Sequence, residues 1–229
     1  MEFGMRGFLI GLLVLGFAVL LFWWWTMPNV YRYKLTVEVE TPEGIRSGNA
    51  VRQVSWTGGR RLTSELNTAT MMHKGEAVIV DLPNGETLFA LMSPDGQETP
   101  MLAFGSATQT RFSDRSVKVM VPFAPKEAKY GESGTPRFVR FRDINDPKTI
   151  EKVDLANLAV SFGEGYRLKR ITAQIVEEPV TELVATKLPW LEAYRKQRLR
   201  LSGKSGPVFI SGDFSDQIGT SAFSIGQQK

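Results

Sequence analysis

The stretch from Gly7 to Met27, GFLIGLLVLGFAVLLFWWWTM, carries no charged residue. As a helix it would extend roughly 32 Å, against roughly 30 Å for the hydrocarbon core of a bilayer. A segment that is apolar on every side has no stable place on the surface of a domain in water. The run therefore predicts a single transmembrane helix, occupying residues 1–27 with its short polar lead. Trp23, Trp24 and Trp25 lie at the exit, where amphipathic rings favour the headgroup level, and Pro28 with Asn29 stops the helix. The lipid bilayer is the first expected partner.

Arg6 ahead of the run would also suit a secretory signal that is later removed. The run is longer than the apolar region of such signals, however, and it leaves through WWWTMPN without a small-x-small cleavage site. An uncleaved signal anchor is the better reading. Its direction is less strongly encoded: Arg32, Lys34 and Arg46 follow the span, and a count of basic residues alone places the body in the cytoplasm. Long domains translocate largely regardless of charge, and on that ground the body is expected outside the cytoplasm.

Beyond the anchor the pattern changes to short alternating runs. In YRYKLTVEVE, Tyr31, Tyr33, Leu35, Val37 and Val39 fall on one face and the polar residues on the other, the period of a half-buried strand. Thr41 to Gly44 is a turn, and a second strand is expected from Ala50 to Trp56, with Ala50, Arg52, Val54 and Trp56 on one face. Arg60 to Gly75 is polar and weakly patterned, compatible with a loop or an irregular edge strand. EAVIVDL and ETLFALM flank Pro83-Asn84-Gly85, a strong hairpin signal. Further strands are expected over Thr99–Gly105 and Arg115–Phe123, after a turn at Ser93–Gly96.

These elements predict a β-rich body that begins with a β-sandwich-like domain over residues 30–124. The Pro- and Gly-bearing segment 125–136 reads as a linker. A mixed α/β region is expected over 137–211, with strands at Phe138–Phe141, Thr149–Val153 and Tyr166–Val176. A helix capped by Asp154 and stopped at Gly163 and a longer one through WLEAYRKQRLRL complete it. Residues 212–229, rich in Ser, Gly and Gln, read as a flexible tail.

Cysteine is absent, which excludes disulfides, thiolate zinc sites, iron–sulfur clusters and a cysteine nucleophile. His73 is the only histidine and is expected in an exposed loop, so no catalytic residue, metal ligand or cofactor site is assigned. Asp143, Asn145 and Asp146 bring together oxygen ligands of the kind calcium takes, but they lack the rest of a calcium loop and read as turn formers. Gly203-Lys204-Ser205 lacks the upstream glycine of a phosphate-binding loop, and Gly163-Glu164-Gly165 is too short for a dinucleotide fingerprint.

The net charge of +4 is mild, but Lys187, Arg195, Lys196, Arg198, Arg200 and Lys204 concentrate basic residues around the last expected helix. They are the candidate anionic-surface residues, for lipid headgroups if the body folds back toward the bilayer. Nucleic acid is not an expected partner.

PRFVRFRDINDPKTIEKVD, FGEGYRLKRIT and the KLPW of Lys187 to Trp190 together resemble a group of uncharacterised bacterial proteins with an N-terminal anchor. The resemblance covers part of the second half and implies a bacterial membrane location without a chemistry. The expectation is a non-enzymatic binding or scaffolding protein of the cell envelope, anchored in the inner membrane with a periplasmic body and an envelope protein as a candidate partner. The alternatives are a membrane-anchored hydrolase or an envelope assembly component.

Overall fold

The computed structural model describes residues 10–20, 29–57, 70–92, 103, 118–119, 136–206 and 212–226. The chain divides into two compact units, one of Met1–Val30 with Ser55–Met72, the other of Tyr31–Val54 with His73–Lys229. In the first unit, residues 10–20 form a helix about 16 Å long at 1.5 Å per residue. Among the described residues no helix is long and apolar enough to cross a membrane. The expected span of Gly7 to Met27 is thus helical in its middle, and its flanks, with Trp23, Trp24 and Trp25, lie outside the described residues.

The fold is β-rich, with two antiparallel sheets. Among the described residues one sheet has six strands, in the order β10 (Ser224–Ile225), β3 (Thr70–Glu76), β2 (Gly44–Thr57), β1 (Asn29–Thr41), β9 (Arg167–Val176) and β6 (Lys118–Val119), and the other has four, in the order β4 (Val78–Asp81), β5 (Thr87–Ala90), β7 (Phe138–Phe141) and β8 (Ile150–Lys152). β1 (Asn29–Thr41) and β2 (Gly44–Thr57) form a long hairpin around Pro42 and Glu43, so β2 starts at the turn itself, six residues before the expected Ala50. The alternation read in β1 is realised: Tyr31 to Val39 are buried at every second position. β9 (Arg167–Val176) lies antiparallel beside β1 and matches its apolar face, with Leu35 opposite Ala173 and Val37 opposite Ile171. A register shift between Glu38 and Val39 sets Leu168 opposite Val39, so the strict two-residue alternation expected of β9 fails at Lys169.

β3 (Thr70–Glu76) occupies the end of the segment that showed no clear pattern. Only Ala77 separates it from β4 (Val78–Asp81), yet the two strands belong to different sheets. The chain turns this corner at Gly75, whose φ of +149° favours glycine. Ala77 N–H continues the register of Glu76 opposite Ser224 by one pair and donates to Phe223 O at 2.8 Å. β5 (Thr87–Ala90) completes the expected hairpin, with Gly85 at φ +83° in its turn. Of the expected strand Arg115–Phe123, β6 (Lys118–Val119) is described; Thr99–Gly105 and Ser93–Gly96 lie almost wholly outside the described residues.

β7 (Phe138–Phe141) and β8 (Ile150–Lys152) extend the four-stranded sheet from β5. The expected division at residues 125–136 therefore does not separate two sheets: each sheet takes strands from both sides of it. The reason is edge completion, since β1 and β5 obtain their second neighbours only from β9 and β7.

The helices are shorter than their sequences suggest. Asp154 makes a turn to Ala156 N–H instead of a cap, and one helical turn, Ala159–Phe162, ends at Gly163 as expected. The last helix runs only from Leu191 to Lys196, because Arg198 takes a left-handed φ of 53° and the chain enters a tight hairpin.

Residues 212–226 correct the expectation of a flexible tail. Ile218, Ala222 and Phe223 enter the core formed by Phe89, Leu91, Phe141, Leu188, Leu191 and Leu201. Phe223 meets Phe89 and Trp190 edge-on at ring separations of 5.9 and 6.2 Å. β10 (Ser224–Ile225) then pairs with β3 at the corner, Ser224 opposite Glu76 and Ile225 opposite Gly75. Composition missed this because a few well-spaced apolar residues suffice to seat a short segment, and polar residues such as Ser215, Asp216 and Ser224 are buried with them.

Candidate functional site

The six basic residues singled out in the sequence do not form one helix face. Lys187 ends the helix Val184–Lys187 and its ammonium lies 2.6 Å from Asp81. Arg195 lies 3.4 Å from Glu192 and also donates to Ser224 O. Arg200 is buried, 3.7 Å from Asp216, and Lys204 reaches the same carboxylate at 2.9 Å. Lys196 and Arg198 are exposed and, among the described residues, have no carboxylate at ion-pair distance. The structure thus partners four of the six with carboxylates, and only Glu192 lies close to its partner in sequence.

Asp216 is the centre of the tightest of these groupings. The Lys204 ammonium donates to one of its oxygens and Ser202 Oγ–H to the other, and these bonds, Lys204 foremost, hold its carboxyl below the usual 3.8. An anion stabilised in this way is a weak base at neutral pH: it orients Ser202 but does not take its proton. The arrangement closes the loop between the last helix and residues 212–226. Gly203, at φ +83°, makes the turn that brings Lys204 to it, so the GKS sequence serves a hairpin.

A second grouping, on β2 and β3, has no counterpart in the expected sites. Arg52 and Glu76 are each 1 % exposed. Arg52 donates from Nε to Glu76 O at 2.9 Å and from Nη2 to Ala90 O at 3.0 Å, joining the six-stranded sheet to β5. The Glu76 carboxylate accepts from Leu183 N–H at 2.7 Å and Val184 N–H at 2.8 Å. It satisfies backbone donors at the start of Val184–Lys187, where no local side chain caps the helix. The signal in the sequence was an arginine on the apolar face of a strand.

His73 lies in β3 and is partly buried, which corrects its expected place in an exposed loop. Burial, and then the charge of Arg52, lower its pKa below 6.5 and favour the neutral ring. Asp143 and Asp146 behave as turn formers: Asp143 Oδ1 accepts from Asn145 N–H at 2.9 Å and Asp146 Oδ1 from Lys148 N–H at 3.0 Å. Among the described residues no group of three or more acidic or histidine side chains could hold a metal ion.

Among the described residues Arg140 is the most extensively partnered cation. It donates to Glu86 at 3.2 Å, to Glu151 at 3.1 Å and to Ser161 O, with its guanidinium 5.7 Å from the Phe162 ring centre. These contacts tie the β4–β5 turn, β8 and the helical turn Ala159–Phe162 to β7. Its chemistry is that of a clamp.

The surface feature that stands apart is the helix at residues 10–20. Every residue in it is exposed, and its eight large apolar side chains are 51–74 % accessible. Elsewhere in the described chain large exposed apolar side chains are scattered, at Val30, Ile45, Met72, Val160 and Leu183. In comparisons with known proteins, no family model matches the chain, and no curated protein or solved structure shows significant similarity to it.

Proposed function

We propose that this chain is a non-enzymatic binding or scaffolding protein, anchored in a bacterial inner membrane through its N-terminal apolar segment, with a periplasmic body. The observation that carries the reading is the helix at 10–20, whose side chains are apolar and exposed all round. Transfer of a Leu, Val, Ile or Phe side chain out of water is worth about 1.5–3 kcal/mol. Summed over the helix, this favours hydrocarbon by more than about 10 kcal/mol, and the uncharged flanks from Gly7 to Met27 extend it to bilayer length.

The bacterial assignment rests on the resemblance carried by PRFVRFRDINDPKTIEKVD, FGEGYRLKRIT and KLPW. Among the described residues the central charged groups are engaged within the fold. Arg52, Glu76, Arg140 and Asp216 each hold structural elements together. Any attraction to anionic headgroups falls mainly to Lys196 and Arg198.

The test is extraction of membranes from cells making the full chain. Retention through high salt and alkaline carbonate supports the anchor, and release by carbonate overturns it. A C-terminal reporter active only outside the cytoplasm tests the compartment, and a silent, correctly folded fusion overturns the periplasmic assignment.

A further inference from the structure

The unit that contains the exposed helix also contains Val30 at the start of β1, Ser55–Thr57 at the end of β2, and Thr70–Met72 at the start of β3. These strands are neighbours in the order β3-β2-β1. Within this unit Val30 is 51 % and Met72 66 % exposed, both on strand ends. Single exposed apolar side chains need no explanation on a domain surface, but their position relative to the apolar run does impose a distance.

Only Pro28 and Asn29 separate Met27 from Val30. At most about 3.3–3.6 Å of chain per residue, Val30 lies within about 11 Å of Met27. The headgroup layer on each side of the hydrocarbon core is itself about 5–8 Å thick. With the run inserted, this end of the sheet has no stalk on which to stand clear of the lipid.

We infer that the β1–β2–β3 strand ends form a membrane-seating edge, with Val30 and Met72 resting in the headgroup layer of the bilayer that holds the anchor. The inference rests on the anchor reading and adds to it an orientation of the sheet. Tether length alone accounts for Val30. Met72, far from the anchor in sequence, comes to the lipid only if the sheet is seated on this edge. The β1–β2 turn at Pro42 and Glu43 lies at the opposite end of β1 and β2 from these residues.

The absence of cysteine makes a direct test clean. Full-length Val14→Cys, Met72→Cys and Glu43→Cys variants are each labelled with an environment-sensitive fluorophore. They are reconstituted into phosphatidylcholine–phosphatidylglycerol vesicles without a quencher, with a lipid carrying a quencher near the headgroup for the Met72, Thr70, Val30 and Glu43 probes, or with a lipid carrying one along its acyl chain for the Val14 probe. Each variant must first match the unmodified chain by circular dichroism; where Met72→Cys does not, the label is moved to Val30→Cys and Thr70→Cys. The seated edge is supported if the Met72 probe, or the Thr70 probe in its place, loses most of its fluorescence while the Glu43 probe keeps its own. If that probe is quenched no more than the Glu43 probe while the Val14 probe enters the lipid, the seating is overturned and the anchor stands. A Val14 probe that is never quenched in the vesicles overturns both.

Discussion

The helix at residues 10–20 and the segment at residues 212–226 use apolar side chains in opposite ways. The first is apolar throughout and exposes all of its large side chains. The second is polar in composition and buries Ile218, Ala222 and Phe223 in the core. Hydropathy summed over a window states which solvent a segment as a whole prefers. It does not register a segment that commits a few apolar residues to a core and buries polar ones, such as Asp216, with partners in the fold. The N-terminal segment leaves its apolar side chains exposed, whereas the C-terminal one buries its own within the fold.

The sharpest way to break this contrast is to remove the aromatic residue that seats the C-terminal segment. Phe223→Ala is expected to cost about 3–5 kcal/mol in urea unfolding, since a fully buried ring among Phe89, Phe141 and Trp190 leaves a cavity. A loss under about 1 kcal/mol would mean that the segment is only laid on the surface. Leu13→Arg acts on the other side of the comparison. A charge near the centre of a membrane helix costs about 2.5–3.5 kcal/mol on insertion, so the membrane-bound fraction of the full chain should fall while the body's unfolding midpoint stays unchanged.

Glu76→Gln is expected to destabilise the body by about 2 kcal/mol, because a buried carboxylate that accepts from Leu183 and Val184 N–H becomes a neutral amide. The acid response separates two further groups. His73 holds its proton less tightly folded than unfolded, so stability should begin to fall as pH drops below 6.5 and level off below the folded pKa. His73→Gln should flatten that part of the curve. Asp216 is also lowered, from 3.8, so its contribution is present above that value and is lost as pH falls through the folded pKa. Asp216→Asn should remove the second decline. Unfolding curves collected across this range check both. At the small end, Lys196→Ala with Arg198→Ala should change stability by no more than about 0.5 kcal/mol, as suits exposed side chains.

What could be read from residues alone follows the range of the interaction. The alternation of Tyr31 to Val39 and the Asn84–Gly85 turn are local facts, and both are realised. The corner at Gly75–Ala77 depends on Phe223 O, the short last helix on the hairpin after Arg198, and the neutralised basic stretch on Asp81 and Asp216. Phe223, Asp81 and Asp216 lie outside any sequence window that periodicity can examine, and the hairpin after Arg198, though local, has no hydrophobic period to reveal it. Arg52 was visible as a charge on an apolar face, but its carbonyl partners on β3 and β5 were not.

Hydrogen exchange of the full chain in vesicles, followed through a urea series, tests the contrast most directly. Amides of residues 10–20 should stay protected after the body unfolds, because lipid and not the core shelters them. Those of residues 218–225 should lose protection together with β5 and β7. Loss of protection at residues 10–20 in step with the body would contradict the account.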